Sequence, residues 1–262
     1  MKRAVSALVA TLIAAVMLPA GASAAEVQIG VTTSPVISPT CPPNAQGTSC
    51  TILLPQVTAY ETLRDGVATP DLIRRSGVIA SFTLGLAGTS LLTPAIVAGE
   101  DKKYGGPPEA QLTVLRPVGT PANPSFRVAA ESAVVKLRSE FGKVAEFPLV
   151  TPLPVVRGEI LALTVPTWAP VLSFELDPTK FAYAQSKAKL STGKGTTTCD
   201  TTGGPNLAQV VVGQFSSYGC TYAGTRIEYS ALEITTPAGY TSSMRKHRAA
   251  RHRSAKHKSA RR

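Results

Sequence analysis

Three carboxylates in the second half of the chain, Glu159, Glu175 and Asp177, are the candidates for acid–base chemistry. A pair of Asp or Glu residues flanking a glycosidic bond can hydrolyse it without histidine, one carboxyl protonating the leaving oxygen while the other serves as base or nucleophile. The local settings argue against that use. Glu175 falls on the polar face of the alternating run VLSFEL, and Asp177-Pro178 is a turn start. A solvated face accounts for them better than a catalytic pair. All three histidines, His247, His252 and His257, lie in the last nineteen residues. Residues 25–243 therefore lack the base of a Ser-His-Asp or Cys-His site and the commonest zinc ligand. Each histidine has Lys or Arg beside it or one residue away, which disfavours a divalent cation. The loop STGKGT does not make a phosphate cradle. Ala188 stands where the pattern needs its first glycine, and Gly195 where it needs Ser or Thr after the lysine. No cofactor or metal is expected, and the chain is expected not to be an enzyme. A His-free glycoside hydrolase or lyase is the lesser alternative.

Binding chemistry leaves two further candidates. The single tryptophan, Trp168, sits in VPTWAP between two prolines, where a turn could present its ring to a sugar face or pack it over one end of the fold. A carbohydrate-binding module is thus a second reading. The C-terminal segment MRKHRAARHRSAKHKSARR carries nine cations, Arg245, Lys246, Arg248, Arg251, Arg253, Lys256, Lys258, Arg261 and Arg262, with no carboxylate among them. Of the 27 lysines and arginines, two precede residue 25 and nine follow Ser243. The remaining 16 face all 16 acids within residues 25–243. The body is formally neutral, and the basic character belongs to the tail. A disordered polycation of this kind would attach to anionic cell-wall or extracellular polymers, acidic polysaccharide or DNA, by charge density alone. Its apolar residues, Met244 and four alanines, are too few for an amphipathic membrane face.

The first residues point outward from the cell. Lys2 and Arg3 precede an apolar stretch from Ala4 to Leu18, Pro19 and Gly21 break it, and Ala22-Ser23-Ala24 offers small side chains for cleavage after Ala24. Residues 1–24 read as a signal peptide, and the mature chain as secreted, extracellular or at the cell surface with no membrane span. The uncharged stretch from Ser76 to Gly99 is long enough to cross a bilayer, but Val78, Ala80, Phe82, Leu84 and Leu86 alternate with their neighbours at the period of a strand. In an oxidising compartment the four cysteines should pair. The short loops favour Cys41–Cys50 and Cys199–Cys220.

The elements that would position these residues are strands. Period-two runs recur at AQLTVLR, SFRVAAE, EILALTV, VLSFEL and RIEYSA. QVVVGQF reads as a buried strand, and residues 178–190 as helix or strand. Gly and Pro clusters at 105–108, 120–124 and 203–205 separate them, and 191–206 is a polar loop. Eight to ten short strands in residues 25–243 predict an all-β fold, a single jelly-roll-like β-sandwich followed by a disordered basic tail over 244–262.

At RSGVIASFTLGL, AQLTVLRP, FRVAAES, TPLPVVRGEILALTV and RIEYSALEI the chain resembles a functionally uncharacterised group of exported β-sandwich proteins of high-GC Gram-positive bacteria. Gly77-Val78-Ile79, Leu112 to Pro117 and Leu153 to Leu163 carry the resemblance. Glu159 stands where the group usually has Asp. It spans roughly residues 76–234 and implies the fold and export, with no catalytic residue carried over. The expectation is an exported, non-enzymatic structural or interaction protein tethered by its tail.

Overall fold

The computed structural model describes residues 23–41, 52–118, 120, 124–187 and 205–237. Ala24–Thr236 forms one compact unit. Its strands are β1 (Glu26–Ile29), β2 (Leu54–Arg64), β3 (Val67–Ala68), β4 (Gly77–Gly85), β5 (Glu109–Pro117), β6 (Ser125–Glu131), β7 (Val135–Lys136), β8 (Val144–Val155), β9 (Ile160–Ala169), β10 (Leu172–Ser173), β11 (Ala182–Lys187), β12 (Phe215–Ala223), β13 (Arg226–Ile227) and β14 (Tyr229–Thr235). One α-helix, α1 (Pro94–Tyr104), lies between β4 and β5.

The all-β expectation holds, but the strands do not simply form two stacked sheets. β2, β9, β5, β6, β12 and β11 pair in that order, and β11 pairs back onto β2, so six strands close into an antiparallel barrel. A four-stranded antiparallel sheet, β1-β14-β4-β8, accompanies it. The jelly-roll expectation is corrected accordingly. Its physical reason lies in the second face of the alternating strands. Tyr60, Leu115, Phe126, Ala162, Ala184 and Tyr218 come from all six barrel strands and form one cluster, the barrel interior. Polar residues of the same strands are buried as well. Thr58 and Thr164 hydroxyls lie 2.7 Å apart, Thr113 and Thr164 2.6 Å apart, and each threonine is fully buried. Buried hydroxyls that bond one another no longer need water, so the sheet can close and remove its edges.

The opposite faces form the main core. Leu161, Leu163 and Val165 of β9, with Leu112 and Val114 of β5, pack against Ile79 and Leu84 of β4 and Tyr229 and Ala231 of β14. At Gly85 a Cβ would lie 1.7 Å from the carbonyl oxygen of Ile37, so glycine is required where the 34–38 segment crosses β4.

Two local expectations change, and one open choice between helix and strand is resolved. QVVVGQF is not a buried strand. Gln209 is buried and its N–H donates to Thr58 Oγ1 at 2.8 Å, whereas Val210, Val211 and Val212 are exposed in a turn closed by Gln214 N–H to Val211 O. VLSFEL contributes two residues of strand, β10, before Glu175 turns at φ +55°. Residues 178–190 yield the strand β11 over their described part. The helix α1 was not expected. Thr93 caps it by accepting from Ile96 N–H, Pro94 begins it, and Gly105 ends it at φ +79°. Val97 is its single buried residue, too thin a stripe to show as a helical period. Among the described residues no helix is long and apolar enough to cross a membrane.

A candidate ligand cleft with two arginines and a buried carboxylate

The strand period brings an acidic residue to an inward position in β14. Ile227, Tyr229 and Ala231 alternate into the core, and Glu233 continues the row with 1% exposure. Glu233 pairs across to Val27 of β1 and Ile79 of β4. It lines a cleft of about 390 Å³ at one margin of the four-stranded sheet. Val27, Ile29, Val31, Val67, Pro70 and Leu72 give this cleft an apolar lining, and Gln28, Thr32, Arg74, Arg75 and Glu233 are its polar members.

Glu233 Oε1 is buried and has no hydrogen-bond partner among the described residues. Burial pushes its pKa up, and the positive charge of Arg75 opposes that rise. Arg75 is close enough to be felt, yet neither it nor Arg74 is within ion-pairing distance of a described carboxylate. Both guanidinium-bearing residues are exposed. The cleft thus holds two cations outside ion-pairing distance of any described carboxylate, one unsatisfied buried carboxylate oxygen and an apolar wall.

Behind the lining lies a buried polar network, in which Glu61 Oε1, Arg64 Nε and Asp71 Oδ1 have no hydrogen-bond partner among the described residues. Glu61 and Arg64 pair at 3.1 Å with both side chains fully buried. Arg64 also donates to Tyr229 O at 3.3 Å and to Ser34 O at 3.1 Å. Asp71, between the cleft residues Pro70 and Leu72, accepts from Glu61 N–H at 2.6 Å and from the Tyr229 hydroxyl. Its Oδ1 would touch a Cβ on Gly30 at 3.0 Å, so a larger residue there would crowd the carboxyl. Burial raises the Asp71 pKa to about 7, against the lowering effect of its hydrogen bonds and of Arg64. Burial and the Asp71 charge likewise push Glu61 well up. Two carboxyls share one guanidinium, so retaining one proton balances the charge. These groups are fully buried, and they hold the cleft wall in place.

The carboxylates singled out from sequence do not converge. Glu159 is buried in the turn between β8 and β9, where Oε2 accepts from Val156 N–H at 2.8 Å and Oε1 from Arg116 at 2.7 Å. Glu175 is exposed in a turn. Asp177 is exposed and accepts from Thr179 N–H at 2.9 Å and Thr179 Oγ1 at 2.6 Å. Each has a local structural task. Trp168 offers no ring to a sugar. It is fully buried, packs beside Phe141, and donates Nε1–H to Asp101 at 3.1 Å. The indole therefore anchors α1 to the fold instead of forming a surface platform. Cys41 is not a free thiol. Cys50, Cys199 and the tail cations Arg245–Arg262 lie outside the described residues, as do residues 1–22 and the Cys220 side chain.

Comparison of the chain with family profiles, curated proteins and solved structures finds no match. The cleft is accordingly read from its own chemistry. Sequence reasoning missed Glu61, Asp71 and Glu233. Two of them were marked by a detectable signal. Glu61 follows Val57 and Ala59, and Glu233 follows Tyr229 and Ala231, each at the next inward position of an apolar strand face. A carboxylate in that phase must be paired, protonated or turned toward a ligand. Asp71 carried no such mark, because it lies outside the regular strands.

Proposed function

We propose that the protein is an exported, non-enzymatic binding protein whose β body is held at an anionic surface by the tail Arg245–Arg262. The observation that carries this reading is the segregation of charge: nine cations without one acid after Ser243, beside a body with 16 cations and 16 acids. Nine cations with no acid among them can engage any polymer of sufficient charge density. The apolar run and the Ala22-Ser23-Ala24 triplet support export, and with it cell-wall polymers, acidic polysaccharide or extracellular DNA as partners. The local roles of Glu159, Glu175 and Asp177 favour this reading over a His-free hydrolase. The buried ring of Trp168 favours it over a carbohydrate module built on that residue.

The test compares the mature protein with a form ending at Ser243 on heparin, teichoic polymer and duplex DNA across a salt series. The full chain should bind all three, with log affinity for DNA falling by about 0.9 per log salt for each phosphate contacted. The shorter form should bind none. Equal binding by the shorter form, or binding that ignores salt, overturns the proposal.

A further inference from the structure

We propose that the cleft between β1, the 67–75 segment and β14 binds a small zwitterion of the apolar amino-acid or short-peptide class, its ammonium at Glu233 and its acidic group at Arg74 and Arg75. This inference concerns the body alone and stands or falls separately from the tail.

The polar requirements come from Glu233 and from the two arginines. Glu233 lines the cleft, and no described donor reaches its carboxyl, whose Oε1 is buried, a condition that costs free energy unless something supplies a hydrogen bond. An ammonium supplies three donors and a charge that returns the carboxyl to its ionised form. Arg75 does not fill this role, because its guanidinium makes no ion pair with Glu233. Arg74 and Arg75, both lining the same cleft and both outside ion-pairing distance of a described carboxylate, offer forked donors suited to a carboxylate. A simple anion would satisfy the arginines and leave Glu233 worse off by repulsion. A simple amine would satisfy Glu233 and meet two like charges. A molecule bearing both groups resolves both conflicts.

Size and lining select further. The volume of about 390 Å³ suits one small molecule rather than a polymer segment. Val27, Ile29, Val31 and Leu72 face that space, so a ligand with an aliphatic body gains burial that glycine would not. The wall behind is rigid, fastened by Arg64, Asp71 and the Gly30 N–H donating to Pro70 O at 3.4 Å.

Isothermal titration of the mature protein with L-leucine and with Leu-Leu tests the proposal, using N-acetyl-leucine and leucinamide as analogues lacking one charge each. Saturable binding of at least one zwitterion is expected, weakened at least tenfold in both analogues. Glu233→Gln should erase the preference for a free ammonium, and Arg74→Ala with Arg75→Ala should erase the preference for a free acid. Circular dichroism and melting of each variant confirm that the fold is kept. Glu233→Gln preserves the shape of the side chain should the arginine variants fold poorly. The inference is overturned if neither zwitterion binds, if the capped analogues bind equally, or if folded Glu233→Gln protein binds unchanged.

Discussion

The Glu61 carboxylate and the Arg64 guanidinium meet at 3.1 Å with both side chains fully buried. Such a pair contributes little net stability by itself, but losing one partner strands the other. Arg64→Met leaves Glu61 and Asp71 buried together without a cation, and it also removes the donors to Ser34 O and Tyr229 O. The expected loss at neutral pH is about 3–5 kcal/mol. Urea denaturation of the variant and the parent measures it. A loss below about 1 kcal/mol would show that water reaches the network.

The same network sets a pH dependence. Asp71 titrates near 7 in the folded protein against an ordinary value of 3.8, and Glu61 is also raised. The folded state therefore holds protons that the unfolded chain has released. Their stabilising contribution is complete below about pH 4 and is lost as pH rises through 7. Denaturation midpoints should fall between pH 5 and pH 8. Asp71→Asn, whose side-chain oxygen can still accept from Glu61 N–H and Tyr229, should flatten that fall. An unchanged slope in the variant would place the proton elsewhere.

Gly85 tolerates no side chain. A Cβ there would lie 1.7 Å from Ile37 O and 3.0 Å from Glu228 Cβ. Backbone is the obstacle, so relief requires moving the 34–38 segment, whose Ile37 N–H donates to Glu228 at 3.1 Å. Gly85→Ala should cost about 2 kcal/mol or more and lower the melting temperature by about 4–10 °C. Thermal melting checks this, with Gly99→Ala as control, since nothing lies within 4 Å of a Cβ at that helical position.

Trp168 is the protein's single tryptophan and it is fully buried. Its fluorescence should be blue-shifted in the native state, insensitive to iodide, and red-shifted on unfolding. Soluble neutral polysaccharides should leave it unchanged. Trp168→Phe removes the donor to Asp101 and part of the packing under α1, and should destabilise by about 1–3 kcal/mol.

Disulfide pairing is tested by peptide mapping without reduction. Cys41–Cys50 and Cys199–Cys220 are expected, each closing a short loop. A peptide joining Cys41 or Cys50 to Cys199 or Cys220, or free thiols in the exported protein, would replace that pairing with another.

The strands themselves were legible in the sequence because alternation is a local property. Leu161, Leu163 and Val165, or Ile227, Tyr229 and Ala231, declare an inward face with no knowledge of partners. Charge segregation between body and tail is equally complete in the sequence, since it needs only position along the chain. Barrel closure was not legible. Thr58, Thr113 and Thr164 look like a wet face until β2, β5 and β9 stand side by side and their hydroxyls satisfy one another. Local pattern fixes which residues share a face, but water or another strand may cover that face, and pairing at long range decides which. The cleft follows the same rule. Glu233 could be seen to break an apolar row, but Arg74 and Arg75 lie more than 150 positions earlier in the sequence. Their meeting with Glu233 exists only because β14 pairs with both β1 and β4.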